Sequence, residues 1–179
     1  MMELLGKSLS LSSIANLLSR RRVLMGAGVL AATSGGAPRA EAQAVPSHLK
    51  FSNPEGIGKP SGYTHVVEMT GPGRTIYVAG QLGYDATGKR VGEPGDFSAQ
   101  ATQVFENLKT ALTSVGAGFE HVVKLNIYMT NISHLPAFRD VRNKYITGTP
   151  PASTALEISK LARPDALLEV EAVAVVAVR

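Results

Sequence analysis

The sequence contains no cysteine and no tryptophan, and only five tyrosines and five phenylalanines among its 179 residues. Without cysteine the chain cannot form disulfides, thiol nucleophiles, iron–sulfur clusters or zinc sites with thiolate ligands. No apolar run reaches the ~18 residues that a membrane-spanning helix needs, so stable membrane anchoring is not expected. The four histidines lack the paired spacing of metal ligands, and no glycine-rich nucleotide-binding motif lies between a strand and a helix. We therefore expect neither a metal nor another cofactor.

Positive charge is present in excess, but it is concentrated near the start of the chain. The sequence has 18 Lys and Arg residues against 14 Asp and Glu residues, a net charge of +4. Residues 1–44 carry five of the basic and two of the acidic residues, which leaves 13 basic and 12 acidic residues in 45–179. Because nucleic-acid binding relies on a basic surface, this near-neutral remainder argues against a nucleic-acid partner.

The first 44 residues have the layout of an export signal. Three consecutive arginines at 20–22 precede a mildly apolar stretch at 24–32, and small-x-small cleavage sites end at Ala42 and Ala44. This order resembles a twin-arginine signal, cleaved after one of those two alanines. The alternative is a basic amphipathic arm on a cytosolic protein. We predict that residues 1–44 are a twin-arginine export signal and that the protein is periplasmic.

Residues 45–179 predict a single α+β domain. Residues 45–62 are rich in Pro, Gly and Ser and are interpreted as an irregular lead-in, followed by a hairpin whose turn is at 71–73. The predicted strands are 63–69, 75–79, 121–129, 155–158 and 168–178, and the predicted helices run from Asp96 or Ser98 to Val115 and over 133–145. The resulting order, β-β-α-β-α-β-β, predicts two helices on one face of a mixed sheet.

Two helices cover only one face of such a sheet. The last predicted strand, 168–178, is almost wholly apolar, which is typical of a central strand or of one in a subunit interface. Other strands combine polar and apolar residues on one face, for example Asn126 and Tyr128. We therefore expect the uncovered face to be buried by oligomerisation.

Five residues are candidates for chemistry. Arg139 and Arg142 lie one turn apart on a predicted helix, where they form either a solvated face or a fork for a substrate carboxylate. Glu169 and Glu171 share one face of the apolar last strand, where they either face solvent or provide a general base. Gly80 ends a strand, either as a plain strand end or as a point where backbone N–H groups approach a ligand.

Four separated motifs carry a resemblance that extends from about residue 56 to residue 178. They are Tyr-Val-Ala-Gly-Gln at 77–81, Val-Lys-Leu-Asn-Ile-Tyr at 123–128, Pro-Ala-Ser-Thr at 151–154 and Glu-Val-Glu-Ala-Val-Ala at 169–174. In this order they resemble the YjgF/RidA family of reactive intermediate deaminases. The resemblance implies a chorismate-mutase-like α+β fold and a homotrimer with a ligand cleft at each subunit interface. It also implies hydrolysis of 2-imino or enamine acids to 2-keto acids and ammonia without a metal or cofactor.

The resemblance also implies roles for individual residues. Glu171 corresponds to the glutamate that helps to activate water, and Tyr63 and Gly80 correspond to residues that line the cleft. Ser153 stands where the family has a carboxylate-binding arginine, and Arg142 stands where it has an asparagine. We hypothesise that Arg142 partly takes over binding of the substrate anion; the alternative is that Arg142 points to solvent.

The sequence therefore favours an exported deaminase-like trimer whose ligand is a small carbonyl or imine acid. A trimer that only binds such a ligand, or acts like a chaperone, is the alternative. RNA cleavage, described for some relatives, fits poorly with export and with the near-neutral charge of residues 45–179.

Overall fold

A computed structural model of the chain describes residues 43–178. Residues 1–42 are outside this range, so the predicted export signal lies almost entirely outside the described residues. Within that range no helix is both long enough and apolar enough to cross a membrane. The strands are β1 (Leu49–Ser52), β2 (Val66–Met69), β3 (Gly73–Leu82), β4 (Val122–Met129), β5 (Ala152–Glu157) and β6 (Leu168–Ala177), and the α-helices are α1 (Phe97–Ser114) and α2 (Leu135–Tyr145).

The main sheet has four strands in the order β3-β6-β4-β5. Strand β6 is antiparallel to both of its neighbours, whereas β4 and β5 are parallel. The apolar last strand is therefore central, which is one of the two positions that its sequence predicted. Strand β5 lies at an edge of this sheet, which leaves one side of its backbone without a partner strand in the described residues.

The two helices pack on one face of the main sheet, which confirms the predicted α+β architecture. Helix α1 begins after Asp96, whose carboxylate accepts a hydrogen bond from the Ala99 N–H at 2.9 Å. Helix α2 tolerates Pro136 in its first turn, where the missing N–H has no helical partner to lose. Phe105 and Phe138 are both buried between these helices, with ring centroids 5.8 Å apart.

The predicted hairpin between the first two strands was wrong. Strand β2 pairs instead with β1, antiparallel and with Leu49 opposite Met69, so part of the predicted lead-in is a strand. Strand β3 pairs with β6 from Gly73 onward. The turn at 71–73 therefore carries the chain from a two-stranded sheet to the main sheet, and does not close a hairpin.

The face of the main sheet opposite the helices, which we call the open face, is uncovered in the described chain. Tyr77 on β3 is 81% exposed, and Leu156 on β5 is also exposed. Glu169 and Glu171 are half-buried on the same face of β6. Since β6 is central, the alternative that these glutamates lie on a solvent-facing edge strand is wrong.

Candidate functional site

A cavity of about 130 Å³ lies between α2, β5 and the segment 61–63. By this measure of volume a cavity needs about 10–15 Å³ to hold one water molecule, so this one has room for a small organic acid. Its apolar lining comes from Ile127, Leu135, Phe138 and Ala155, and its polar lining includes Tyr63, Arg139, Arg142 and Ser153. Three of the predicted site residues, Tyr63, Arg142 and Ser153, therefore line one cavity.

The segment 61–65 is held against the start of β5 by Thr64. The buried Thr64 hydroxyl donates to the carbonyl of Pro150 at 2.6 Å, and the Thr64 N–H donates to that of Pro151 at 3.2 Å. These two bonds bring the adjacent Tyr63 to the cavity. The Ser153 hydroxyl also donates to the Pro151 carbonyl, at 3.3 Å, so both lining residues are positioned by the same short stretch of backbone.

Gly62 allows the segment 61–65 to lie close to α2. Its φ of +77° is a left-handed conformation that glycine adopts without strain. A side chain at this position would also meet two guanidinium groups, since a Cβ on Gly62 would lie 3.3 Å from Arg142 Nη2 and 3.6 Å from Arg139 Nε. Gly62 therefore allows α2 to present both arginines beside the cavity.

Arg142 is buried, with 5% of its surface exposed, which contradicts the alternative that it points to solvent. Nη1 donates to the Gly62 carbonyl, and Nε and Nη2 donate to Asn143 Oδ1 at 3.2 and 2.8 Å. The other two N–H groups have no partner within residues 43–178. No ion pair in that range involves Arg142, so a buried positive charge borders the cavity without a carboxylate.

The electrostatics of Arg142 reflect this position. Burial, and after it the positive charge of Arg139, lower the pKa of the Arg142 guanidinium below its usual value. An arginine nevertheless stays charged at neutral pH. A buried charge without a partner is unfavourable, and an anion entering the cavity would relieve that penalty. Guanidinium groups bind carboxylates through two parallel N–H donors.

Glu171 lies on the open face with two polar neighbours. Its Oε2 accepts hydrogen bonds from Asn126 Nδ2 at 3.2 Å and from the Tyr128 hydroxyl at 3.4 Å. Burial, and then the nearby carboxylate of Glu171, raise the pKa of the Tyr128 hydroxyl, so that it remains a protonated donor. Glu171 is thus oriented through one oxygen, while the other accepts no hydrogen bond from the residues described.

Gly80 also belongs to the open face. It lies in an irregular part of β3, between Val78 and Gln81, where the register with β6 shifts. A methyl group at Gly80 would overlap the carboxylate of Glu169, so glycine is needed there for the close approach of that side chain. Glycine is therefore required at this position by the contact with Glu169, and not by a left-handed backbone conformation.

The register of the sheet separates the predicted site residues into two groups. Ser153 pairs with Leu125, whereas Glu171 pairs with the next residue of β4, Asn126. Successive residues of a strand point to opposite faces, so Ser153 faces the helices and Glu171 faces the open side. One chain therefore brings Tyr63, Arg142 and Ser153 together, but it does not bring Glu171 and Gly80 to them.

Sequence reasoning missed the positioning residues. The sequence analysis assigned no role to Thr64 or Gly62, yet Thr64 holds the segment that carries Tyr63 and Gly62 leaves room for both guanidinium groups. The sequence signal that could have identified this segment is Gly62, which precedes Tyr63 and Thr64, because glycine at the end of an irregular stretch often has positive φ. In residues 43–178 no three His, Asp or Glu side chains are grouped in a way that would hold a metal ion.

Comparison with known proteins agrees with these motifs. Residues 57–176 match the family described as endoribonuclease L-PSP. Protein DfrA of Myxococcus xanthus is 36% identical over 123 residues, which cover 68% of this chain and 88% of DfrA. The 2-iminobutanoate/2-iminopropanoate deaminase of Dermatophagoides farinae is 31% identical over 124 residues, which cover 69% of this chain and 90% of that enzyme.

Solved structures show the same fold. The Rid protein YyfB of Yersinia pestis has a TM-score of 0.66 and 36% identity, over 72% of this chain and 99% of YyfB. Two helices on a mixed sheet, the ordered motifs and the match over 57–176 thus point to one family. The chain belongs to the endoribonuclease L-PSP family, the YjgF/RidA family that its motifs resemble.

Proposed function

We propose that this protein binds a small 2-imino or 2-keto acid in the cavity beside Arg142 and hydrolyses the imine to a keto acid and ammonia. The observation that carries the proposal is the buried Arg142 guanidinium, which borders the cavity with no carboxylate to pair with it among the described residues. Relatives named as 2-iminobutanoate/2-iminopropanoate deaminases support this reaction. In this proposal Arg142 replaces the family arginine, at whose position Ser153 stands.

The proposed reaction needs a base that removes a proton from water. As the water oxygen adds to the imine carbon, the Glu171 carboxylate accepts the proton and then delivers it to nitrogen. The remaining hydroxyl proton of this addition product is then transferred to the nitrogen, again through Glu171. The carbon–nitrogen bond breaks, ammonia leaves and the carbonyl of the keto acid forms. Tyr63 lines the pocket, the Ser153 hydroxyl contacts the acid, and the Gly80 N–H steadies the polar end of the substrate.

Glu171 and Arg142 cannot meet one small molecule within a single chain, because they lie on opposite faces of the sheet. We therefore propose that a second copy in a homotrimer brings its open face to the edge strand β5 and supplies Glu171 and Gly80. The uncovered face with exposed Tyr77 and Leu156, and the cavity at an unpaired edge, support this arrangement. Export of the folded assembly to the periplasm stays a prediction from residues 1–44.

Arg142→Met tests the anion site. We expect the affinity for 2-oxobutanoate, a stable product of imine hydrolysis, to fall about 10- to 100-fold, because a charged hydrogen-bond donor is lost. The free energy of unfolding is expected to stay equal or to rise, since an uncompensated buried charge is removed. Isothermal titration calorimetry and chemical denaturation measure the two quantities.

Arg74→Met is the matched control, because it removes the same charge from an exposed arginine that donates to the Val115 carbonyl at 2.6 Å. It is expected to leave the affinity for 2-oxobutanoate unchanged. Equal affinity in the Arg142→Met protein would contradict the proposed anion site. Retained binding by the wild type without faster imine hydrolysis would identify a binding protein and not a deaminase.

A further inference from the structure

Arg142 has a second cation beside it. Arg139 lies one turn earlier on α2, also lines the cavity, and is half-exposed. Both guanidinium groups lie within 4 Å of the position of a Cβ on Gly62, so they are close neighbours. Arg139 Nη2 donates to the Ser61 carbonyl at 3.2 Å, and Arg142 Nη1 donates to the carbonyl of the next residue, Gly62.

Neither arginine is neutralised within the described part of the chain. The ion pairs there involve other residues, and Asp140, although adjacent to Arg139 in sequence, forms none with it. Two neighbouring positive charges repel each other, and the repulsion is strongest where water is excluded. The lowered pKa of Arg142, caused by burial and by Arg139, agrees with this repulsion. A ligand with one negative charge would compensate only one of the two positive charges.

We propose that the preferred substrate is a dianion, a small 2-imino acid that carries a second carboxylate. The carboxylate next to the C=N bond pairs with Arg142, and the second carboxylate pairs with Arg139. This inference rests on the proposed function, since it names the substrate class of the same cavity. The carbon chain between the carboxylates lies on the apolar lining formed by Leu135 and Phe138.

The size of the cavity favours a short substrate. By this measure of volume one water needs about 10–15 Å³, so about 130 Å³ has room for roughly ten non-hydrogen atoms, as in a four-carbon diacid. The reaction itself is unchanged: water adds to the imine carbon, the carbon–nitrogen bond breaks, and ammonia and a 2-keto dicarboxylic acid are released. The enzyme that supplies the imine would therefore act on an amino dicarboxylic acid.

Oxaloacetate and 2-oxobutanoate are a matched pair of probes, because both have four carbons and differ in a carboxylate against a methyl group. Calorimetry is expected to show that the wild type binds oxaloacetate at least about tenfold more tightly, since a second charged pair forms. Inorganic phosphate, which carries comparable charge without the keto-acid group, is expected to bind more weakly than oxaloacetate. Equal affinity for phosphate would overturn the assignment.

Arg139→Gln separates charge from the hydrogen bond to Ser61, because glutamine keeps an N–H donor. We expect this variant to lose about 10- to 100-fold in affinity for oxaloacetate and less than about twofold for 2-oxobutanoate. Arg139→Lys, which keeps the charge, is expected to retain most of the preference. Equal losses for both ligands would mean that Arg139 only holds the 61–63 segment, and would overturn the inference.

Failure of the proposed function has a different signature. If neither keto acid binds the wild type, or if Arg142→Met leaves both affinities unchanged, the cavity is not the anion site at all. A different result is that 2-oxobutanoate binding depends on Arg142 but oxaloacetate binds no more tightly than 2-oxobutanoate. That result would support the anion site and would contradict only the preference for a dianion. The ratio of kcat/KM for 2-iminosuccinate and 2-iminobutanoate provides the same comparison for catalysis.

Discussion

Glu171→Gln is expected to lower the rate of imine hydrolysis by about 10²- to 10⁴-fold, the range typical of a lost general base. Glutamine retains an oxygen that can accept the hydrogen bonds from Asn126 and Tyr128, so the local structure should be preserved. It cannot accept a proton from water. The measurement is release of keto acid and ammonia from enzymatically generated 2-iminopropanoate and 2-iminobutanoate.

Binding distinguishes this effect from a damaged fold. The Glu171→Gln protein is expected to bind 2-oxobutanoate with wild-type affinity, because Arg142 and not Glu171 pairs with the acid. Glu68→Gln is a suitable control, since it removes a carboxylate from the exposed strand β2, where Glu68 lies 4.0 Å from Lys50. A Glu171→Gln protein with an undiminished rate would exclude Glu171 as the base.

Mixing two inactive variants tests whether the site is shared between chains. In a trimer reassembled from equal amounts of Arg142→Ala and Glu171→Gln chains, about a quarter of the sites would combine an intact Arg142 with an intact Glu171 from the neighbour. Recovery of about that share of activity is expected. If both residues acted within one chain, no mixture of the two variants would recover activity.

Phe105→Ala is expected to lower the free energy of unfolding by about 3–5 kcal/mol, the usual cost of deleting a buried aromatic ring. The Phe105 ring is completely buried and contacts three other rings, with centroid distances of 5.9 Å to Phe119, 5.8 Å to Phe138 and 5.1 Å to Tyr145. Alanine leaves a cavity at the centre of this cluster. Chemical denaturation measures the loss.

The same substitution is expected to weaken ligand binding, because Phe138 lines the ligand cavity and packs against Phe105. Phe105→Leu, which keeps most of the volume, is expected to cost less than about 1.5 kcal/mol and to preserve binding. A loss below about 1 kcal/mol for Phe105→Ala would show that the aromatic cluster collapses into the space and is not the main support of the two helices.

The local elements were predictable because their signals are short-range. Helix α1 was found from apolar residues at helical spacing after Asp96, and its observed start and end differ from prediction by about one residue. In β4, Leu125 and Ile127 alternate with Asn126 and Tyr128, and the structure buries the first pair, so the signal of this strand is also local. Strand β1 was missed because its four residues are too few to show a period.

The site was only partly predictable, because its geometry depends on distant contacts. The burial of Arg142 requires the segment 61–65 to pack on α2, about 80 residues along the chain, and nothing in the local pattern of α2 specifies that. The separation of Ser153 from Glu171 follows from the register of β4 with β5 and β6. A shift of one residue in the pairing of β5 with β4 would have placed Ser153 and Glu171 on the same face of the sheet.

The sequence by itself determined the helices, most of the strands and the family, since these follow from periodicity and from ordered motifs. Tertiary structure alone decided which strands pair, and that β2 joins β1 instead of β3. It also decided that two arginines of α2 border one cavity without a carboxylate in the described residues, while Glu171 lies on the other face. The physical reason is range: periodicity acts over a few residues, whereas pairing, register and burial of charge are set by segments far apart in the chain.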